Sequence, residues 1–384
     1  MRITIDDLKN RNIAVWGLGL NAVKCSYFLT TNGIEIECYF SNSPKVNKFC
    51  GKSVYEFDDK NKEDLFIIVA TNVATYRIIS KQLEGFGVVE FSDYIFYEWI
   101  GRKLVLLNGN CHMTIIQEYL MSLSLFNDLY SIYPAPLVCD NEEGISKTLC
   151  KQIDVFIHED IRSNNEFGYK VSDEWIRSNV KNNIIDITIP HLFGLGKCLF
   201  PQHINAKNNL KINNGLDSNG MFPYGDSIIE GLLEEGRSEE YIIDYCKSNN
   251  AIEEKIILDN YTEFMNKIRV REESWDIKIY DFILSNIKDN QLFYDKGHPT
   301  NFVLHYISEK IAEILGVMKD DELICNNTLD THEEPVYPVV KKVLGLKWEK
   351  KYIRNSKDAK KMKDKMDFEE YIKEYIYWKK ISEA

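Results

Sequence analysis

A thiol and an imidazole lie side by side in the stretch LLNGNCHMTIIQEYL, residues 106–120. This stretch begins with the pattern of a buried strand and continues with that of a helix, and between them lie Gly109, Asn110, Cys111 and His112. A helix N-terminus offers unpaired amides and partial positive charge, which lower a thiol pKa and stabilise an oxyanion. Cys111 is therefore a candidate nucleophile, and the other three residues are candidates for the turn and the oxyanion site. The alternative is a buried cysteine that only packs.

A general base for this thiol has to come from elsewhere in the chain, because adjacent helical residues point in different directions. The segment YDKGHPTN places Asp295 three positions before His298, just ahead of a helical pattern. A carboxylate at this spacing can orient an imidazole and stabilise its charged form, as in a catalytic triad. In the alternative interpretation, Asp295 only caps the turn and His298 is an ordinary exposed histidine.

The elements that position these residues follow an alternating pattern. In the first part of the chain, NIAVWG, IEIECYF and DLFIIVAT read as strands, and helical stretches lie between and after them. This alternation predicts a small, Rossmann-like parallel α/β unit over residues 1–100. A second series of strands and helices begins at Lys103, and helices dominate after residue 226. We therefore predict an α/β protein with domains at 1–100 and 101–325 and a lysine-rich helical extension at 326–384.

The second series contains several specific expectations. Helical periodicity extends over residues 111–126, and DLYSIYPAPLV, QIDVFIHED and NNIIDITIP read as strands. Residues 201–226 are rich in Asn, Gly and Pro, which predicts a long loop. Residues 298–316 predict an amphipathic helix with Pro299 in its first turn. The extension after residue 326 is expected to pack a stripe of Tyr and Trp, or else to form a surface for an anionic membrane or a partner.

Glycines near the N-terminus form a possible phosphate loop. Gly17, Gly19 and Ala22 occupy the spacing of a dinucleotide fingerprint after a strand and at the start of a helix. The second strand ends in YFSNS, however, with no acidic residue to bind a ribose. Three interpretations stay open: an NAD site, a site for a sugar nucleotide or other phosphate ligand, and a degenerate unit that serves positioning or assembly.

Composition excludes several classes of protein. The net charge of −12 argues against a nucleic-acid binder. The nine cysteines include no CxxC pair, which favours reduced thiols in the cytoplasm over a disulfide framework or a metal site. The acidic, polar start does not look like a secretory signal, and no run of about 18 apolar residues predicts a membrane span. Peripheral membrane contact stays open.

The two motifs together resemble the SGNH or GDSL hydrolase superfamily, in which a first strand ends in Gly-Asp-Ser and a late Asp-x-x-His precedes the last helix. Here GNC and DKGH stand in those places, with cysteine where the superfamily has serine. A closer resemblance is to the WcbI-type enzymes of capsular polysaccharide biosynthesis, whose Gly-Asn-Cys turn is matched by GNCH. The stretches IPHLFGLGKCLFP, PYGDSIIEGLLEEG and PVYPVVKKVLGLKW are also similar to that family. The resemblance covers roughly residues 103–350.

This resemblance implies an SGNH-like three-layer α/β domain with extra helices. It also implies coenzyme A or acetyl-CoA as cofactor, with Cys111 as nucleophile and His298 as its base, oriented by Asp295. His158 ends a strand and could line the site, although a packed or capping role is the alternative. Arg162 and Arg271 are cations that could contact the phosphates of coenzyme A.

The function that follows is transfer of an acyl group, expected to be acetyl, from acyl-CoA to a sugar hydroxyl of a glycan or sugar-nucleotide acceptor. A carbohydrate esterase or deacetylase with the same site is the first alternative. The second is a non-catalytic protein whose N-terminal unit binds a sugar nucleotide. The sequence does not identify the acceptor sugar or the oligomeric state.

Overall fold

The structure is a computed structural model of the 384-residue chain. It describes residues 3–58, 64–192, 194–205, 222, 224–318, 321–329, 333–349 and 366–383. Internal contacts divide the chain into two compact units. Unit 1 comprises Met1–Asn110 and Leu123–Ile187, and unit 2 comprises Cys111–Ser122 and Thr188–Ala384. The α/β fold class is confirmed, whereas the domain boundaries expected from the sequence stay a prediction.

Unit 1 contains a six-stranded sheet formed by β1 (Asn12–Trp16), β2 (Ile36–Phe40), β3 (Lys48–Phe49), β4 (Lys52–Tyr55), β5 (Leu65–Val69) and β6 (Tyr94–Phe96). The spatial order is β3-β4-β2-β1-β5-β6, and only the β3–β4 pair is antiparallel. Its helices are α1 (Ile5–Leu8), α2 (Leu20–Thr31) and α3 (Val73–Gly85). Every residue of β1 after Asn12 is buried, as expected for a parallel strand covered on both faces. The parallel α/β arrangement predicted for this part of the chain is confirmed, while the bounds 1–100 stay a prediction.

A second sheet follows, formed by β7 (Lys103–Asn108), β8 (Tyr130–Ile132), β9 (Val155–His158) and β10 (Ile185–Thr188). Its order is β10-β9-β7-β8, and β7 pairs in parallel with both β8 and β9. The helices among these strands are α4 (His112–Met121), which belongs to unit 2, and α5 (Ser124–Leu129), α6 (Lys147–Gln152) and α7 (Asp173–Asn179), which belong to unit 1.

Two elements in this region are shorter than the sequence predicted. The helix expected over 111–126 is broken at Leu123, whose backbone is extended and whose side chain is fully buried. The strand expected over 128–138 is limited to β8, because Pro134 and Pro136 lack the amide hydrogen that a sheet ladder requires.

Unit 2 contains the hairpin of β11 (His203–Asn205) and β12 (Tyr224–Asp226), which are antiparallel. Its later helices are α8 (Ser227–Glu234), α9 (Glu239–Lys247), α10 (Glu254–Arg271), α11 (Tyr280–Asn286), α12 (Asn301–Leu315), α13 (Pro338–Leu344) and α14 (Phe368–Glu383). The loop predicted over 201–226 is therefore paired at both ends. Residues 206–221 and 223 of that loop lie outside the described residues.

The prediction that Pro299 lies in the first turn of a helix is wrong. Helix α12 begins at Asn301 after the N-cap residue Thr300. Pro299 instead forms an isolated antiparallel bridge with Phe293, and the Thr300 amide donates to the Leu292 carbonyl. The segment that carries Asp295 and His298 is therefore a tight loop closed at its base, rather than an extension of the helix.

The C-terminal extension includes α13 and α14, and residues 350–365 lie outside the described residues. Helix α14 buries Tyr371 and Tyr375, and both rings pack edge-to-face against Phe222. The Tyr375 hydroxyl donates to Glu230 over 2.7 Å and accepts from the Asp226 amide over 3.0 Å. This part of the extension therefore packs through aromatic residues, as one of the two interpretations expected. Among the described residues, no helix combines the length and apolar character needed to cross a membrane.

Candidate active site

Cys111 lies where the chain enters α4. Strand β7 ends at Asn108, and Cys111 is the N-cap residue of the ten-residue helix. The Cys111 side chain makes no capping hydrogen bond, while its carbonyl accepts from both the amide and the hydroxyl of Thr114. The thiol is partly exposed. The helix N-terminus places amides and partial positive charge beside the sulfur, and both favour the thiolate.

Asp295 organises the loop that carries His298. Its carboxyl group is fully buried, and Oδ1 accepts from the amides of Gly297 and His298 over 2.7 and 2.9 Å. Oδ2 lies 2.6 Å from His298 Nδ1. Asp295 thus caps the turn and also orients the imidazole, so His298 is not the ordinary exposed histidine of the alternative interpretation. The catalytic role of the pair stays a prediction. The His298 side chain is 27 % exposed and can reach a ligand.

The charge state of His298 follows from its neighbours. Burial lowers the pKa of His298, but hydrogen bonds and charge from Asp295 and Cys111 outweigh burial and raise the pKa to about 10. The contribution of Cys111 requires the sulfur and the imidazole to be close neighbours. Because Asp295 engages Nδ1, Nε2 is the ring nitrogen that remains for a further partner. A protonated imidazole favours the thiolate form of a neighbouring cysteine.

Gly196 supports the same loop from outside. A Cβ atom on Gly196 would lie 2.2 Å from the Asp295 carbonyl oxygen, so no other residue fits without moving the loop. The Gly196 amide donates to the Lys296 carbonyl over 3.0 Å. The second glycine of the GLGK stretch is thus explained by the close approach of its backbone to the Asp295 turn.

Sequence reasoning missed two residues that surround His298. The Tyr224 hydroxyl lies 3.4 Å from His298 Nδ1, and burial together with the charges of Asp295, Glu334 and Cys111 raises the pKa of Tyr224. Glu334 is buried and accepts from the Lys296 amide over 3.2 Å. Both residues lie in or beside stretches that resemble the family, but a single Tyr or Glu there carries no spacing signal of its own.

His112 occupies a different place from its neighbour in sequence. Its ring is buried, and Nε2 lies 3.2 Å from the Gly297 carbonyl oxygen. His112 therefore contacts the loop that carries His298. This contact gives His112 a structural role that does not require it to be the base for Cys111.

Gly109 and Asn110 belong to unit 1 and are held there by their own contacts. The Gly109 carbonyl accepts from the Val138 amide over 3.1 Å. The side-chain amide of Asn110 donates from Nδ2 to Glu159 Oε2 over 3.0 Å. These bonds hold the backbone just before Cys111, and the oxyanion role of Gly109, Asn110 and His112 stays a prediction.

His158 is fully buried at the end of β9. Nδ1 lies 3.0 Å from Asp173 and Nε2 lies 3.0 Å from Asp186. Burial lowers the pKa of His158, but the two carboxylates more than compensate and raise it to about 9. The geometry favours the packed role that the sequence left as the alternative.

The weaker sequence candidates are dispersed. Arg162 and Arg271 are exposed and form no ion pair within the part of the chain that the structure describes. In the N-terminal loop, Gly17 has φ +132°, and a Cβ there would lie 2.7 Å from the Ala70 carbonyl oxygen. Gly19 is the N-cap residue of α2, and Ala22 is buried. Backbone packing therefore accounts for Gly17, while a phosphate role for this loop stays a prediction.

Comparison with known proteins provides a family match and a similar fold. The family described as "Polysaccharide biosynthesis enzyme WcbI" matches residues 104–320, more than half of the chain. A solved structure of WcbI has a similar fold. That protein is described as a novel polysaccharide biosynthesis enzyme, and the structure is of a form without a disulfide bond between coenzyme A and a cysteine. The TM-score is 0.58 at 17 % sequence identity, covering 73 % of this chain and 90 % of the other. No curated protein matches the sequence.

Proposed function

Because the chain belongs to the WcbI family of polysaccharide biosynthesis enzymes, we propose that it transfers an acyl group, expected to be acetyl, from acyl-CoA to a sugar hydroxyl. The observation that carries this proposal is the pairing of Cys111 with the Asp295-oriented imidazole of His298. Coenzyme A is proposed because the solved WcbI structure is described with reference to that molecule and a cysteine. The acceptor is proposed to be a glycan or a sugar nucleotide.

The charge state of the pair favours a covalent route. The Cys111 thiolate attacks the thioester carbonyl, a new carbon–sulfur bond forms, and the bond to the sulfur of coenzyme A breaks. His298 gives its proton to the departing thiolate. The neutral imidazole then accepts the proton of the sugar hydroxyl as that oxygen attacks the acyl-cysteine, and Cys111 leaves as thiolate. Atoms and charges balance over the two steps.

Direct transfer without an acyl-cysteine is less compatible with the charge state of His298. That route needs a neutral His298 in the resting enzyme to deprotonate the sugar, whereas its raised pKa of about 10 keeps the ring protonated at neutral pH. Backbone amides at the start of α4 would stabilise the tetrahedral intermediate in either route. The proposed phosphate contacts of coenzyme A are Arg162 and Arg271. We place the reaction in the cytoplasm, and the nine free cysteines support a reducing environment.

The test is an assay of free coenzyme A released from acetyl-CoA by the full-length protein, with and without candidate glycans. Transfer predicts release that depends on the glycan and an acetylated product. Mass spectrometry of the peptide that contains Cys111 should detect the acyl-cysteine when the glycan is omitted. Release of acetate from an acetylated glycan without coenzyme A would support the esterase alternative. Unchanged cellular function in both Cys111→Ala and His298→Ala would support a non-catalytic protein.

A further inference from the structure

Unit 1 contains a cavity of about 860 Å³ that no step of the proposed reaction uses. Its walls come from α3 and the segment that follows it, and from the chain between β8 and α6. The glycine loop after β1 does not contribute to it. The volume lies within the range of about 300–1,000 Å³ typical of small-molecule sites.

Glu90 is the central polar group of this cavity. The Tyr76 hydroxyl donates to Oε1, and the Tyr133 hydroxyl donates to Oε2 over 3.2 Å. Within the described residues, no lysine, arginine or histidine forms an ion pair with Glu90, and the charge that acts on it is the negative one of Glu84. Burial raises the pKa of Glu90 to about 7, against the effect of the two tyrosines. A half-buried carboxylate without a cation is costly, and a positively charged ligand would offset this cost.

The rim of the cavity has the same sign of charge. Besides Glu90, the lining includes four further acidic residues, Glu84, Asp140, Glu142 and Glu143, and two basic ones, Arg77 and Lys81. The Arg77 guanidinium is held by the Pro134 carbonyl through Nε and Nη2, at 3.1 and 2.8 Å. The potential in the cavity is therefore negative, which attracts cations and disfavours the phosphates of nucleotides.

The wall also offers groups that suit hydroxyls and a ring. Asn141 is 6 % exposed, and its Nδ2 has no hydrogen-bond partner among the described residues. The partly exposed Tyr133 supplies a hydroxyl and an aromatic face beside Pro134 and Pro136. An unused amide donor, a hydroxyl and an apolar face are the partners that a hydroxylated ring requires.

We propose that this cavity binds an amino sugar, with the protonated amine against Glu90 and the hydroxyls toward Tyr133 and Asn141. The proposal does not depend on acyl transfer at Cys111, because all of the residues that carry it lie in unit 1. The proposed amino sugar is positively charged, whereas the sugar nucleotide that the glycine loop suggested as a ligand of the N-terminal unit is negatively charged.

The test is isothermal titration calorimetry of the full-length protein with glucosamine, N-acetylglucosamine, glucose, spermidine and UDP-glucose. Glucosamine is expected to bind at least about tenfold more tightly than N-acetylglucosamine or glucose, which lack the charge, a difference of about 1.4 kcal/mol. The Glu90→Gln variant should lose this preference, while the control Glu35→Gln should keep it, because Glu35 is exposed and pairs with Lys52 elsewhere in unit 1. Spermidine should bind less tightly than glucosamine because it lacks hydroxyls.

If Glu90→Gln fails to fold, the proposal can still be tested on the wild-type protein by measuring amide hydrogen exchange with and without ligand. Glucosamine should protect amides within residues 76–90 and 133–149, and glucose at the same concentration should not. Equal binding of glucose and glucosamine, tighter binding of spermidine, protection of these segments by UDP-glucose, or no binding of glucosamine would each overturn the proposal.

Discussion

His158 and His298 have similar partners but different surroundings. Each imidazole lies within 3.0 Å of a buried or half-buried carboxylate, and in each the carboxylate raises the pKa of the ring. The His158 side chain is 0 % exposed and has a carboxylate at each nitrogen, whereas the His298 side chain is 27 % exposed and has a carboxylate at Nδ1. Cys111 is a second neighbour of His298 that raises the pKa of the ring.

The comparison shows that a carboxylate partner alone does not mark a catalytic histidine. Two carboxylates and full burial keep His158 protonated at neutral pH, where it holds the end of β9 to Asp173 and Asp186. In the proposed reaction, partial exposure and a neighbouring thiol would let His298 exchange its proton with the reactants, which the buried His158 cannot reach. The predictions below separate these two roles, in order of decreasing effect.

The largest effect is expected from Cys111→Ala. Removing the nucleophile should lower acyl transfer by a factor on the order of 10³ or more, because the remaining groups cannot form the acyl-cysteine. The measurement is release of coenzyme A under single-turnover conditions. Cys139→Ala serves as the control, since Cys139 is an exposed cysteine of unit 1 and the substitution should have no effect. Transfer that survives in Cys111→Ala would rule out the covalent route.

Matched glutamine substitutions should separate the two histidines. His298→Gln is expected to lower kcat by about 10²–10⁴-fold and to lower the free energy of unfolding by less than about 2 kcal/mol. The stability loss is small because Asp295 keeps its two backbone donors. His158→Gln is expected to lower the free energy of unfolding by about 3–5 kcal/mol, because the buried Asp173 loses its cation, whereas Asp186 keeps Arg177.

The readouts for this pair are urea unfolding and kcat of the fraction that remains folded. Folded His158→Gln should retain nearly all of its activity. If both variants lose activity and stability to the same extent, exposure and the thiol partner do not distinguish the two histidines.

The candidate site motif could be located in the sequence because its residues carry local signals, while its catalytic role stays a prediction. Cys111 lies at a strand–helix junction, and Asp295 and His298 share one turn, so spacing alone indicates their relation. Tyr224 and Glu334 lie about 70 positions before and 36 positions after His298, and only folding brings them near it. His158 was a candidate site residue because it ends a strand. The sequence does not reveal that the side chain is buried between Asp173 and Asp186.

The strands and long helices could be predicted for a similar reason. Strands β1, β5, β7 and β9 each contain a continuous apolar run, which burial on both faces requires, whereas β2 is interrupted by the exposed Glu37. The break at Leu123 could not be predicted, because its side chain fits the helical period and only tertiary packing sets its backbone. Pro299 fits the first turn of a helix by local preference, but the bridge to Phe293 places it in the loop before the helix.

The pH dependence of the free energy of unfolding should differ between His158→Gln and the wild-type protein. The folded pKa of His158 is about 9, above the usual value near 6.5, so its contribution is full below about pH 6.5 and is lost as pH rises toward 9. The wild-type protein should lose up to about 3 kcal/mol over this window from His158 alone. Urea unfolding of His158→Gln at matched pH values should lack this part of the decline. An identical decline in both proteins would contradict the charged state assigned to His158.

The smallest effect is expected from the proposed phosphate contact at Arg271. Arg271→Gln should raise KM for acetyl-CoA by no more than about fivefold and leave kcat unchanged, because an exposed ion pair contributes about 0–1 kcal/mol. Arg269→Gln is the matched control, since Arg269 is exposed on the same helix. Equal KM values for the wild type and both variants would remove Arg271 from the proposed coenzyme A site.

The most direct test of the account is the rate at which iodoacetamide modifies Cys111, followed by mass spectrometry across pH. An ordinary thiol with a pKa of about 8.5 is almost fully protonated at about pH 6 and reacts slowly there. Because His298 stabilises the thiolate, the wild-type rate should stay nearly constant from about pH 6 to 8, whereas in His298→Gln it should fall steeply as pH decreases. Matching profiles in the two proteins, both falling like that of an ordinary thiol, would contradict the thiolate–imidazolium pair.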